Sequence, residues 1–285
     1  MGFSLDDLRK RSSNELATTK NGNGGSLASL KNKQSRMSIE DRMNSLAKKN
    51  IGSATLELRK NTAEIIFIID KSNSCKEVVP STIKAIDNLI RKERRNCYPT
   101  KISIILFNHT YQVICDRQDI KNVYEFCYKA SGGTALYDTL CNNLYAIKER
   151  QLKSKDVDSN KTIVAIMTDG EDNESVNYSL MDARKCILEC KSIGWKFIFL
   201  GANINAKKVA SDLGIDLDLA EEYQNNARGV IANFESINRA LIDVRATGSI
   251  SKNWSDNIKY NNRINGNNQN TLSSGKKKML RLGGK

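Results

Sequence analysis

The sequence predicts an α/β protein: a doubly wound, mostly parallel sheet flanked by helices, with a disordered basic tail at each end. Three observations carry that expectation. Strand-like apolar runs, Ile65-Ile66-Phe67-Ile68-Ile69 foremost, alternate with stretches of helical periodicity. Two such runs lead into an aspartate and a turn: Asp70 after the first, Asp169-Gly170 after the later Ile163–Thr168. The charge is segregated, with 12 Lys+Arg against 6 Asp+Glu in residues 1–62, 8 against 1 in 247–285, and 25 of each in 63–246.

The elements follow in order. Residues 1–62 are rich in Ser, Asn, Lys and Gly, with Asn21-Gly22-Asn23-Gly24-Gly25 as a flexible break. A short helix is predicted at 38–48, where Ser38 and Asp41 form a weak capping box and Ile39, Met43 and Leu46 share a face. The folded domain is set at 63–246 and opens with a buried strand, Glu64–Ile69. Val79, Ile83, Ile86 and Ile90 then space as one helix face, with Pro80 in the first turn. Lys101–Phe107 reads as a strand, and Tyr111–Cys115 as its short antiparallel partner across Asn108-His109. Tyr137, Leu140, Cys141, Leu144 and Ile147 mark a helix, Thr162–Met167 a strand, and Met181, Ile187 and Cys190 a helix. Lys196–Leu200 is a strand, Ala206–Leu213 a short helix, and Val230, Ile231, Phe234, Ile237, Leu241 and Val244 a well-patterned final helix. From 247 to 285 the periodicity is lost; polar 261–270 and Lys276-Lys277-Lys278 with Arg281 predict disorder.

Composition removes several classes. No apolar stretch approaches the ~18 residues of a membrane-spanning helix. Residues 1–7 lack the apolar core of a secretory signal, and Gly2 lacks the Ser or Thr at position 6 that myristoylation wants. Seven cysteines, an odd number with no C-x-x-C, read as reduced, mostly buried thiols of a cytoplasmic protein. A zinc site from Cys186, Cys190 and the lone His109 is a weaker reading. The net charge of +13 belongs to the two ends, so the domain itself is neutral. Basic tails of this kind make weak contacts with nucleic acid or acidic partners, or simply solvate the chain.

The chemistry lies where the strands end. Asp70-Lys71-Ser72-Asn73-Ser74 follows the first strand, Gly132-Gly133-Thr134 precedes a helix, and Asp169 follows a later strand. In a doubly wound sheet, ligands bind beyond the carboxyl ends of the strands, where the strand order reverses. Two carboxylates and three hydroxyls, from Asp70, Ser72, Ser74, Thr134 and Asp169, form a hard-oxygen set. Mg²⁺ takes about six oxygens, so at least one position is left for water or a partner carboxylate. Each piece alone is a common turn or cap; their combination in this order is what points to a metal site.

These residues resemble the von Willebrand factor A (vWA) family, whose metal-ion-dependent adhesion site is D-x-S-x-S, then Thr, then Asp. Asp70, Ser72, Ser74, Thr134 and Asp169 match it, and Thr134–Asp138 and Thr168–Glu171 also look like family sequence. The resemblance covers about 63–246. It implies a Rossmann-like vWA fold, Mg²⁺ (or Mn²⁺) at the five residues, and a protein partner whose Asp or Glu completes the coordination. Phe197–Asn203 and Tyr223–Val230 look like a cytosolic subgroup from bacteria and their phages, some members of which are encoded beside tellurite-resistance or stress genes. Asn73 stands where many members have Gly, with left-handed backbone open to it. Cys75 replaces a frequent Met, and Lys71 sets a cation beside the site. Glu171, Asp172 and Glu174 read as solvated loop charges on its rim.

An enzyme is the weaker expectation. There is no phosphate-binding G-x-x-x-x-G-K-[ST], no G-x-S-x-G and no H-E-x-x-H, and His109 falls in a turn. Aspartyl-phosphate chemistry at Asp70 would want a second Asp where Ser72 stands. The reading is therefore a non-enzymatic, Mg²⁺-dependent protein-binding module. Nucleic-acid or scaffold binding through the tails, and a metal-assisted phosphohydrolase, are the alternatives.

Overall fold

The computed structural model describes residues 48–49 and 61–264. Nearly all of the N-terminal region, including the helix predicted at 38–48 up to residue 47, and residues 265–285 lie outside them.

Six strands form one sheet in the order β3-β2-β1-β4-β5-β6. They are β1 (Ala63–Asp70), β2 (Thr100–Phe107), β3 (Tyr111–Asp119), β4 (Thr162–Thr168), β5 (Lys196–Gly201) and β6 (Ala220–Glu222). All neighbours are parallel except β2 and β3. The expected doubly wound, mostly parallel sheet is therefore the observed one. β1 is buried along its whole length, which is why it reads as a continuous apolar run rather than an alternating one. Its side chains still alternate between layers. Ile65, Phe67 and Ile69 join the core with α1 (Val79–Arg94) and α5 (Ala227–Thr247). Ile66 and Ile68 face the opposite core, with α2 (Leu136–Ser154), α3 (Leu180–Ser192) and α4 (Ala206–Asp212).

The strand order reverses between β1 and β4, which pair directly. Asp70 ends β1 and Asp169 follows β4 by one residue, so the reversal brings both to the same edge.

Two differences from the sequence reading stand out. β6 is only three residues, Ala220-Glu221-Glu222, too short and too polar to show a pattern. The predicted disorder from 247 fails for residues 247–264, where 256–264 is helical and Trp254, Ser255 and Ile258 are buried. Trp254 packs into the α1–α5 core, and its indole N–H donates to the Asp218 carbonyl at 2.8 Å. The four-residue spacing of Ile250, Trp254 and Ile258 is a helical signal, diluted by the Asn, Lys and Ser around it. Among the described residues no helix is long and apolar enough to cross a membrane.

Candidate metal centre

Backbone contacts assemble the site before any side chain does. Lys71 N donates to the Phe107 carbonyl at the end of β2 (2.6 Å), and Ser131 N donates to the Lys71 carbonyl (2.8 Å). Asn73 N donates to the Gly132 carbonyl (2.9 Å). The loop after β1 is thus zipped to the loop that carries Thr134. Gly132 is needed there: its φ is +75°, and a Cβ on it would come 2.3 Å from His109 Nδ1. Asn73 needs no left-handed backbone; among the described non-glycine residues only Arg117, Lys155 and Asn203 have positive φ. The tolerance of Asn for that region is therefore not used. Asn73 instead opens a short 3-10 helix, Asn73–Val78.

Asp70 is held through both oxygens. Ser72 N donates to Oδ1 and the Thr168 hydroxyl donates to Oδ2, each at 2.7 Å. The Ser74 hydroxyl donates to Asp169 Oδ1 at 2.7 Å, with the Ser72 hydroxyl 3.4 Å from the same oxygen. The two serine hydroxyls lie 3.1 Å apart. Asn225 Nδ2 donates to Asp169 Oδ2 at 2.8 Å. Thr134 lies on the Asp169 side: a Cβ built on Gly170 would come within 3.4 Å of its hydroxyl. Its backbone N donates to Asn173 Oδ1, and its carbonyl accepts from Asn173 N, both at 2.9 Å. The tertiary structure thus brings Asp70, Ser72, Ser74 and Asp169 together, with the Thr134 hydroxyl beside Gly170. Asp70, Ser72, Thr134 and Asp169 are buried and Ser74 is exposed, so the cluster opens to solvent on the Ser74 side.

Burial pushes the Asp70 carboxyl above its ordinary range; hydrogen bonds from Thr168 and Ser72 oppose this, and the Asp169 charge adds to it. Among the described residues neither Asp70 nor Asp169 makes an ion pair with Lys or Arg. Two buried, adjacent carboxylates without a cation are what a divalent ion would neutralise. The donor set fits a hard ion: two carboxylates, three hydroxyls, and a buried Asn225 Oδ1 that has no hydrogen-bond partner. One softer atom stands close. Cys75 Sγ lies within 4.8 Å of oxygens from both Asp70 and Asp169, the one such His/Cys/Asp/Glu group among the described residues. Burial, then the charges of Asp70 and Asp169, pushes the Cys75 thiol far up, so it stays protonated beside the oxygens. His109 does not join Cys186 and Cys190 in such a group.

Several contributors escaped the sequence reading. Thr168 and Asn225 touch the two carboxylates directly. Asp172, read as a solvated loop charge, accepts from Leu136 N (2.8 Å) and Tyr137 N (3.3 Å) and so caps α2 from a distant loop. Asp138, in the first turn of α2, returns the contact by accepting from Val176 N (3.1 Å), Asn177 N and Tyr178 N (2.8 Å). Partial burial acts to raise its pKa, but these donors win and hold it below the ordinary value. This reciprocal strap fixes the loop after β4, and with it Asn173 and Thr134. Thr168, Asp138 and Asn225 lie in segments that resemble family sequence, but none of the four contacts carries a local signal, because each acts across 30 or more residues of chain.

A sequence model of the von Willebrand factor type A domain matches residues 64–225. No curated protein matches the sequence. Among solved structures, proximal thread matrix protein 1 from the mussel byssus is 15% identical, with 67% of this chain and 47% of that chain covered and a TM-score of 0.46. The pilus adhesin SpaC from Lactobacillus rhamnosus GG is 14% identical over 64% of this chain and 30% of that one, with a TM-score of 0.50. Manganese-loaded TRAP protein of Plasmodium vivax is 13% identical over 61% and 72%, with a TM-score of 0.44. The chain spans about half the length of the mussel protein. At these identities the likeness is one of fold.

Proposed function

The chain belongs to the von Willebrand factor type A family, and on that premise we propose that it is a non-enzymatic, Mg²⁺-dependent (or Mn²⁺-dependent) protein-binding module. Domains of this family are typically protein-interaction modules with a metal-ion-dependent adhesion site. The partner would supply an Asp or Glu carboxylate to the ion. The observation that carries the reading is the pair of buried carboxylates, Asp70 and Asp169, ringed by hydroxyls and an amide, with exposed Ser74 beside them.

The bound ion supplies positive charge and an attachment point for an anionic group. The protein's residues do the rest. Asp70 and Asp169 balance a divalent charge, so a partner carboxylate meets a site that is neutral rather than strongly cationic. Ser72, Ser74 and Thr134 would hold the ion through hydroxyl lone pairs in place of part of its water shell. The Thr168 hydroxyl and the Ser72 N–H hold the Asp70 carboxylate in place.

The test is isothermal titration of the full chain with Mg²⁺ and Mn²⁺, then with a short acidic peptide on the Mn²⁺-loaded protein. Saturable metal binding that Asp70→Ala abolishes, and peptide binding that EDTA abolishes, are expected. A peptide isotherm that is the same with and without metal would sink the proposal. We further propose a cytoplasmic setting, supported by seven cysteines that all stand free, and a bacterial or phage context, supported by the resemblance of Phe197–Asn203 and Tyr223–Val230.

A further inference from the structure

Asp169 presents its two oxygens to two different parts of the chain. Oδ1 faces Ser74 (2.7 Å) and Ser72 (3.4 Å), which belong to the loop after β1. Oδ2 accepts from Asn225 Nδ2 at 2.8 Å, from the turn between β6 and α5. Nδ2 is the donor of this contact, so the amide turns its NH₂ toward Asp169. That leaves Asn225 Oδ1 buried without a hydrogen-bond partner, a costly arrangement for an amide that served only as a loop anchor.

The turn that carries Asn225 is fixed. Asn226 N donates to the Gln224 carbonyl (2.7 Å), and Gly229 N donates to Asn226 Oδ1 (2.9 Å), which caps α5. A Cβ on Gly229 would lie 2.0 Å from the Gln224 carbonyl oxygen, so only glycine permits this approach. Asn225 therefore reaches the site from an element that none of the five predicted residues occupies, and it does so from a rigid base.

Metal binding would treat the two sides of Asp169 differently. The hydroxyls of Ser72 and Ser74 would face both the ion, through a lone pair, and Oδ1, through the O–H. The Asn225 contact to Oδ2 involves the carboxylate alone. We infer that Asn225 is a sixth residue of the metal centre: a positioning residue that holds Asp169 through Oδ2 and offers its own Oδ1 to a polar member of the ion's shell. This rests on the metal-centre reading above.

The experiment compares the full-length wild type with Asn225→Ala and the isosteric Asn225→Asp. Mn²⁺ affinity is read by electron paramagnetic resonance, Tb³⁺ affinity by sensitised luminescence, and folding by the metal-free melting temperature. Loss of a supporting hydrogen-bond partner of a metal ligand typically costs 10–100-fold in metal affinity, so Asn225→Ala should raise the Mn²⁺ Kd by about that factor. Asn225→Asp replaces a donor with a carboxylate. The added charge should strengthen Tb³⁺ more than Mn²⁺, raising their ratio if residue 225 faces the ion; an anchor turned away from the ion would leave the ratio constant. An unchanged Mn²⁺ Kd in Asn225→Ala, or an unchanged ratio in Asn225→Asp, overturns the inference. If Asn225→Ala does not fold, the ratio in the isosteric variant decides. A wild type that binds neither ion refutes the metal centre itself, whereas a wild type that binds normally beside unaffected variants refutes only the role of Asn225.

Discussion

Strand β1 carries a buried carboxylate near each end, and the two are treated in opposite ways. At the N-terminal end, fully buried Glu64 pairs with Arg117 at 2.9 Å, and Gln151 Nε2 donates to its other oxygen at 2.7 Å. Arg117 also reaches Asp156 (2.5 Å), and Gln151 Oε1 accepts from the Trp195 indole (2.9 Å). At the C-terminal end, Asp70 finds hydroxyls, a backbone N–H and another carboxylate. Burial raises both groups above the ordinary range; at Glu64 the Arg117 charge opposes the rise, while at Asp70 the Asp169 charge adds to it. One end of the strand contains its own cation. The other has none among the described residues, and the proposed metal ion would supply it. That contrast separates a structural charge cluster from a functional one without reference to any motif.

The largest expected effect breaks the contrast at the compensated end. Arg117→Ala leaves Glu64 buried and without its cation, and should cost about 3–5 kcal/mol in urea unfolding while the Mg²⁺ Kd of the folded protein stays unchanged. A shifted Kd would mean the two ends are coupled. Next, at 100 times its Kd an ion that binds only the folded state stabilises it by about 2.7 kcal/mol. EDTA should remove that gain from the wild type, and Asp70→Asn should show no gain while unfolding at higher denaturant than the metal-free wild type, since it relieves one buried charge beside another. Asp70→Asn that is less stable than the metal-free wild type would show that the carboxylate pair is not strained. Gly132→Ala strikes the loop that positions Thr134. With φ at +75° it should cost about 1–2 kcal/mol and weaken Mg²⁺ binding, with the Glu64 end untouched.

The smallest effect is pH-dependent. The Asp138 pKa is depressed in the folded state, so its contribution is fully present above the unfolded value, near 3.8, and is lost as pH falls through the lower folded value. Melting curves of Asp138→Asn and wild type should converge as the pH drops below that range and stay separated near neutrality. Parallel curves throughout would remove Asp138 from the strap.

Much of the fold was legible because its signals are local. The run Ile65–Ile69 is a strand wherever it stands, and Val230, Phe234, Ile237, Leu241 and Val244 make a helix face by spacing alone. The five oxygen residues were visible because three sit in one short loop and two abut recognisable elements. Asn225, Thr168 and Asp172 were not, since an Asn in a polar turn or a Thr ending a strand carries no mark of a partner 36–98 residues away. The 252–264 segment was hidden for a different reason: two apolar anchors, Trp254 and Ile258, do the packing, and the polar residues between them dominate the composition.

By itself, the sequence determined the α/β class, the neutral character of the middle against its basic flanks, and the identity of the oxygen groups, because periodicity, charge and side-chain chemistry belong to residues and their near neighbours. Only the tertiary structure decided which buried carboxylate has a cation beside it and which has none among the described residues. That depends on where the order of strands reverses and on Arg117 returning to Glu64, and distances between remote groups are set by packing rather than by spacing along the chain.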